Sequence, residues 1–178
     1  ILGFMITAAV ISMWVMNTAT TIMLLPIGLA VITVVKETVK DTSTQELNSF
    51  QLALLLGIAY GATIGGMSTL IGTGPNGMLA AFMADNYDLD ISFIDWMKVG
   101  VPLSCVMLPG CWFILTKVIF KVNFETSSAT KDLLIKMKNE LGNLSSNEMK
   151  VLIVFVLTAL AWTVSYTHLT LPTTKQVL

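Results

Sequence analysis

The sequence predicts an all-α integral membrane protein, and three observations support this fold class. Charged residues make up 12% of the 178 residues, whereas a soluble domain has about 25%. Two stretches, 1–35 and 51–84, contain no charged residue, and each is longer than the roughly 20 apolar residues of one membrane-spanning helix. Each stretch is also interrupted by polar or glycine residues. The uncharged lengths indicate membrane spans, and the interruptions indicate that these spans are not simple helices.

The first stretch, 1–35, is interrupted by the polar run Asn17-Thr18-Ala19-Thr20. Because lipid offers no hydrogen-bond partners, a helix that is interrupted at membrane depth survives only where protein encloses the interruption. We therefore predict a re-entrant helical hairpin over 1–35, in which two short helices meet at a tip around Met16–Thr18. The alternative is one tilted span with an interfacial extension, in which Asn17 only bonds to a neighbouring helix.

The second stretch, 51–84, contains six glycines and Pro75 between Gly61 and Gly77, which is too many for a continuous helix. We predict a discontinuous transmembrane helix over 51–84 that is broken across this segment. Residues 72–77 also match G-x-G-x-x-G, but that nucleotide-binding pattern needs a preceding strand and a βαβ unit, so we reject it in a membrane run. Such a break presents carbonyl groups to a cation and N–H groups to an anion, as in secondary transporters.

The remaining segments predict a multi-pass topology. In chain order we expect a connector with an interfacial helix, an acidic loop, a transmembrane helix, a lysine-rich connector and the start of a further transmembrane helix: 36–50, 85–95, 96–122, 123–148 and 149–163. Lysines concentrate in the two connectors, so the positive-inside rule predicts that both face the cytoplasm and that the acidic loop lies outside. The net charge of −1 offers no basic surface for nucleic acid.

The last segment, 164–178, departs from this pattern because it is abruptly polar. Residues 165–174 resemble translated sequencing-adapter sequence, so we expect a non-native tail that packs poorly, and we exclude it from the fold. The single histidine, His168, lies in this tail and is assigned no role. Because the chain opens in mid-apolar sequence, we expect it to be a fragment of a longer protein with further helices upstream.

The two interruptions also carry the groups that binding would need. Asn17 and Thr18 offer amide and hydroxyl oxygens to a sodium ion, or donors to a carboxylate or sulfate. The uncharged stretches contain no Arg or Lys, so an anion would be held by neutral dipoles, helix N-termini and a co-bound cation. Each polar residue taken alone fits helix packing equally well. The argument for a binding site therefore depends on the two clusters together.

Two motifs resemble a known family. Ser12–Thr21, followed by Leu25-Pro26-Ile27, resembles the Ser-Asn-Thr hairpin of the divalent anion/sodium symporters, which are dicarboxylate, citrate and sulfate carriers. Ala59–Met67, followed by Gly72-Thr73-Gly74-Pro75-Asn76, resembles the unwound fifth helix of that family. The similarity covers most of 1–163.

The resemblance implies a homodimeric, multi-pass transporter of the cell membrane, built from inverted repeats and working by an elevator motion. By position in the motifs, it implies a sodium site at Ser12, Asn17 and the loop around Gly72. The implied substrate contacts are Asn17, Thr18, Thr73 and Pro75. The chain departs from the family motif at Met16, where a serine is expected. A thioether is a poor sodium ligand, so this half-site binds sodium through backbone oxygen there, binds it more weakly, or is not sodium-coupled.

The interpretation that the sequence favours is sodium-coupled uptake of a divalent anion such as a C4-dicarboxylate, not an enzyme, with sodium as coupling ion and no other cofactor. Two alternatives stay open. One is another anion permease, for sulfate or arsenite, which includes proton-coupled carriers. The other is a non-transporting membrane scaffold, in which the Asn/Thr and glycine clusters serve only close packing.

Overall fold

The computed structural model describes residues 1–38, 43–120, 135, 142 and 145–168, with side chains to residue 161 in the last range and without that of Thr38. In these residues every regular element is a helix. The helices are α1 Leu2–Ser12, α2 Asn17–Thr38, α3 Thr44–Gly66, α4 Gly74–Tyr87, α5 Phe93–Phe113 with a π-helical continuation Ile114–Ile119, and α6 Ser146–His168. Three described helices, Asn17–Glu37, Thr44–Gly66 and Phe93–Ile119, are long and apolar enough to cross a bilayer. The prediction of an all-helical membrane protein is confirmed at this level.

Helices α1 and α2 lie against α3 in opposite directions. Along α1, Met5 contacts Gly57 and Gly61, and Ala9 contacts Gly65, so α1 runs parallel to α3. Along α2 the order is reversed, because Asn17 contacts Gly66 near the end of α3 while Gly28 contacts Ile58 further back. Ala8, Leu24, Ile58 and Ala62 form the buried apolar cluster between the three helices. The turn between α1 and α2 therefore lies beside the end of α3.

Helix α3 continues through part of the segment that the sequence predicts to be broken. Gly61–Gly66 is helical, which corrects that prediction. Gly57, Gly61 and Gly65 recur every four residues and so share one face. A Cβ on Gly61 would lie 2.7 Å from the Met5 carbonyl oxygen, so these glycines let two helix backbones approach closely, as small residues do between membrane helices. Their helix-breaking tendency is outweighed by this packing.

The non-helical break is limited to Met67–Thr73. Helix α4 begins at Gly74, with Pro75 in its first turn, where proline lacks only an N–H that would be unpaired anyway. Within α4 only Asn76 is buried, and the helix packs on none of the other described helices. The break is therefore attached to the rest of the fold by its own residues and by Asn76.

Several predicted boundaries also differ from the structure. In the described part of 36–50, which leaves out 39–42, the helical residues belong to α2 and α3: α2 runs to Thr38, and Ser43 caps the start of α3 through a reciprocal pair of bonds with Glu46. The acidic loop 85–95 is non-helical only over 88–92. The helix predicted over 96–122 begins at Phe93, and the one over 149–163 begins at Ser146 and runs to His168, inside the predicted tail. Most of the connector 123–148 and residues 169–178 lie outside the described residues.

Candidate binding site at the hairpin turn

The turn between α1 and α2 consists of Met13–Met16, and Asn17 is the first residue of α2. The turn thus lies two to three residues before the predicted tip, Met16–Thr18, because Asn17 and Thr18 belong to the first turn of α2. Ser12 is fully buried at the end of α1, and its Oγ donates a hydrogen bond to Asn17 Oδ1 at 2.7 Å. This bond joins the last residue of one helix to the first residue of the next.

The break in the second motif lies against this turn. A Cβ on Gly66 would overlap the Asn17 carboxamide, so a larger residue there would displace that side chain from its present position. A Cβ on Gly72 would lie 3.0 Å from the Ser12 carbonyl oxygen and 2.5 Å from the Gly66 carbonyl oxygen. The structure therefore brings together Ser12, Asn17 and Gly72, the three residues that the sequence assigned to sodium, and adds Gly66 to them.

Three helix ends meet at this point, and a side chain connects the start of a fourth helix to them. Helices α1 and α3 end at Ser12 and Gly66, helix α2 begins at Asn17, and Asn76 in the first turn of α4 donates to the Gly66 carbonyl oxygen. A helix C-terminus carries carbonyl oxygens with partial negative charge, whereas an N-terminus carries N–H groups with partial positive charge. The same small volume thus offers ligands for a cation and donors for an anion, and all the side chains and backbone groups that supply them are uncharged.

The three residues assigned to the substrate alone are less buried than Ser12. Thr18 and Pro75 are exposed and Thr73 is half-buried. Thr73 is the extended residue before α4, with φ −147° and ψ 145°. No hydrogen bond links these three residues to Asn17 in the described part of the chain. Their assignment to the substrate stays a prediction.

Two buried side chains hold the break in place. Thr69 Oγ1 donates to the Met13 carbonyl oxygen at 2.5 Å and accepts from the Gly72 N–H at 3.0 Å. Asn76 Nδ2 donates to the carbonyl oxygens of Gly66 at 2.9 Å and Thr69 at 2.8 Å. The first connects the break to the hairpin turn, and the second connects the start of α4 to the end of α3.

Helix α5 supports the break from the other side. Ser68 Oγ donates to Ser104 Oγ at 2.7 Å, and Ser104 Oγ donates to the Ile64 carbonyl oxygen at 2.9 Å. Trp96 Nε1 donates to the Met67 carbonyl oxygen at 3.0 Å. A Cβ on Gly100 would lie 2.7 Å from the Ser68 carbonyl oxygen, so glycine lets α5 approach the break. The backbone at Met67 and Ser68 is thereby anchored on α5.

No role was predicted for Thr69, Asn76 or Ser104. All three are buried polar residues, and buried polar groups are normally hydrogen-bonded. The sequence shows Asn76 as a polar residue within the glycine-rich motif 72–77. It does not show the partners of Asn76, because the carbonyl groups it reaches depend on how the break folds back.

Comparison with known proteins agrees with the two motifs. A family model described as "Citrate transporter" matches residues 1–175. A protein of Staphylococcus saprophyticus named sodium-dependent dicarboxylate transporter is 40% identical over 163 residues, which is 91% of this chain and 31% of the relative. A protein of the same name from Staphylococcus aureus strain USA300 is 36% identical over the same coverage. The chain thus spans less than a third of the length of these curated relatives. Because the family model matches nearly the whole chain, the chain belongs to the citrate transporter family, the divalent anion/sodium symporters that its two motifs resemble.

Proposed function

We propose that the full-length protein is a secondary transporter that couples sodium to the uptake of a divalent anion such as a C4-dicarboxylate. In this proposal, the chain supplies one half of the binding site, the part formed by the hairpin turn and the break. The observation that carries the proposal is the meeting of the ends of α1, α2 and α3 at Ser12, Asn17 and Gly66, with Gly72 of the break lying against Ser12 and Gly66. The relatives named sodium-dependent dicarboxylate transporters support the choice of ion and substrate class.

The cation would be held by oxygen atoms of Ser12, Asn17 and Gly72. Asn17 Oδ1 accepts a hydrogen bond from the Ser12 hydroxyl. A serine hydroxyl can rotate and turn its lone pairs to an ion, so the Ser12 and Asn17 side-chain oxygens can both become ligands without backbone movement. Hard cations prefer oxygen ligands of this kind.

The anion would bind next to the cation, near Thr18, Thr73 and Pro75. Thr18 lies in the first turn of α2, and Thr73 and Pro75 lie at the start of α4. Helix N-termini favour negative charge. No lysine or arginine lies between residues 1 and 35 or between 51 and 84, so the bound cation would supply the full positive charge that the empty site lacks. An anion that depends on the cation in this way is coupled to it.

The larger assembly is part of the same proposal. The family resemblance supports a homodimer in the cell membrane, inverted repeats in each subunit, and an elevator motion of the domain that contains this half-site. The extensive contact of α1 and α2 with α3, and the anchoring of the break on α5, support movement of the described helices as a unit.

The proposal is tested by reconstituting the full-length protein into proteoliposomes and measuring uptake of radiolabelled succinate. We expect uptake with an inward sodium gradient and little with an equal potassium gradient. Succinate uptake driven equally by a proton gradient, or uptake of sulfate or arsenite in its place, would favour the other permeases. Absence of uptake of all these anions under every gradient, from protein that is folded and inserted, would favour the membrane scaffold.

A further inference from the structure

We infer that Thr69 and Asn76 are positioning residues for the coupling cation, although neither binds it. Both would act by holding the carbonyl groups of the break in the geometry that the cation needs. The inference rests on the proposed function, and it adds two residues that the family motifs do not assign to the site.

Thr69 links the break to the hairpin turn through its hydroxyl group. The residue is fully buried, and its hydroxyl both donates to Met13 and accepts from the Gly72 N–H. The second bond sets the orientation of the Gly72 peptide, and the first sets its distance from the turn that carries Ser12 and Asn17. Removing the hydroxyl would leave the Gly72 N–H without this acceptor in a buried position, where an unpaired group is costly.

Asn76 links the two helices on either side of the break. It is 8% exposed, and both donors of its NH₂ group are used, one on Gly66 and one on Thr69. The Gly66 carbonyl belongs to the last residue of α3 and, like other helix-end carbonyls, has no partner within its own helix. One carboxamide on α4 thus satisfies two carbonyl groups that precede Gly72, one at the end of α3 and one inside the break.

The hydrogen bonds of both side chains are made to the backbone. The Asn76 NH₂ group donates to the Gly66 and Thr69 carbonyl oxygens, and the Thr69 hydroxyl donates to Met13 and accepts from the Gly72 N–H. Both residues therefore act through Gly66 and Gly72. Without these hydrogen bonds, the break should adopt more conformations when no cation is bound. Cation binding would then have a larger entropic cost. The affinity for the cation should fall, while the rate at saturating cation is largely retained.

The test uses Thr69→Val in the full-length protein, because valine keeps the shape of threonine and removes the hydroxyl. In proteoliposomes at saturating succinate, we expect the sodium concentration for half-maximal uptake to rise roughly three- to tenfold, the effect of losing about one buried hydrogen bond. Thr69→Ser keeps the hydroxyl and should restore sodium dependence close to that of the wild type. Thr63→Val is the matched control, because the exposed Thr63 hydroxyl bonds only to Ala59 within α3.

A Thr69→Val protein with wild-type sodium dependence would overturn the inference, as would equal shifts in Thr69→Val and Thr63→Val. If Thr69→Val does not fold, Asn76→Ser carries the test, since serine leaves one donor for two carbonyl groups. We expect a smaller shift in the same direction, and an unchanged sodium dependence would overturn the inference. A wild-type protein whose uptake ignores sodium would instead overturn the proposed coupling, and this inference with it.

Discussion

At the scale of single residues, Met16 occupies the position at which the family resemblance implies a serine. Its side chain is 67% exposed, and its carbonyl oxygen accepts the Thr20 N–H at 3.0 Å. That carbonyl oxygen is therefore already engaged by a hydrogen bond in the first turn of α2, so one of its two lone pairs is no longer available to a cation. The position next to Asn17 thus lacks the hydroxyl oxygen that a serine would supply.

Changing Met16 to Ser in the full-length protein should strengthen sodium binding. The added hydroxyl offers a hard oxygen ligand where a thioether now stands, and we expect the sodium concentration for half-maximal uptake to fall about tenfold, which corresponds to about 1.4 kcal/mol. Met23→Ser is the control, because Met23 is also exposed on α2 but lies further from the turn. Equal sodium dependence in Met16→Ser and the wild type would show that this position is not part of the cation site.

The sequence indicated which residues could bind sodium or the anion, but not which residues hold those binding residues in position. The family resemblance indicated Ser12 and Gly72, and Asn17 was also recognisable because its amide interrupts an uncharged apolar run. Thr69 and Asn76 carry the same signal, yet their partners are carbonyl groups at Met13, Gly66 and Thr69 itself. Backbone carbonyls are present at every position, so only the folded path of the break can tell which of them a buried donor will reach.

At the scale of helices, the face of α3 formed by Gly57, Gly61 and Gly65 determines how closely α1 packs. Counting glycines led to a predicted break from Gly61 onward, because each glycine weakens an isolated helix by about 1 kcal/mol relative to alanine. The spacing of four residues carried the opposite information, namely one smooth face for a neighbouring helix. The sequence does not show that α1 lies against this face, so composition alone favoured a break from Gly61 onward. In the structure the break is confined to Met67–Thr73.

Changing Gly61 to Ala should destabilise the protein. The new Cβ would lie 2.7 Å from the Met5 carbonyl oxygen and 2.9 Å from the Met5 Cα, and backbone atoms can yield only by moving α1. We expect a loss of about 1–3 kcal/mol, typical of overpacking, seen as a lower thermal unfolding midpoint of the full-length protein in detergent. Gly3→Ala on α1 is the control, because nothing lies within 4 Å of its Cβ. Equal midpoints for the two variants would contradict the close packing of α1 on α3.

At the scale of the whole molecule, the chain provides one hairpin, one break and the helix that supports them. Exposed apolar side chains cover α2, α4 and α5, among them Ile22, Met78, Phe82 and Val106. In water such exposed apolar surface would drive association between molecules, whereas in a bilayer these side chains would contact the lipid chains. The chain covers 31% of the length of the Staphylococcus saprophyticus relative, and the proposed function assigns the other half of the site to the rest of the full-length protein.

The central claim is that the hairpin turn and the break form one site for sodium and for the divalent anion. The variant Asn17→Ala in the full-length protein tests this claim most directly. Alanine suits the start of a helix, and losing a hydrogen bond to a charged group costs about 1.5–3 kcal/mol. We therefore predict that the half-saturating concentrations of sodium and succinate rise together, roughly ten- to a hundredfold, as reciprocal coupling requires. Asn86→Ala, which removes only a bond to Phe82 within α4, should change neither. Uptake by Asn17→Ala with unchanged sodium and succinate dependence would mean that Asn17 serves packing alone and would contradict the account.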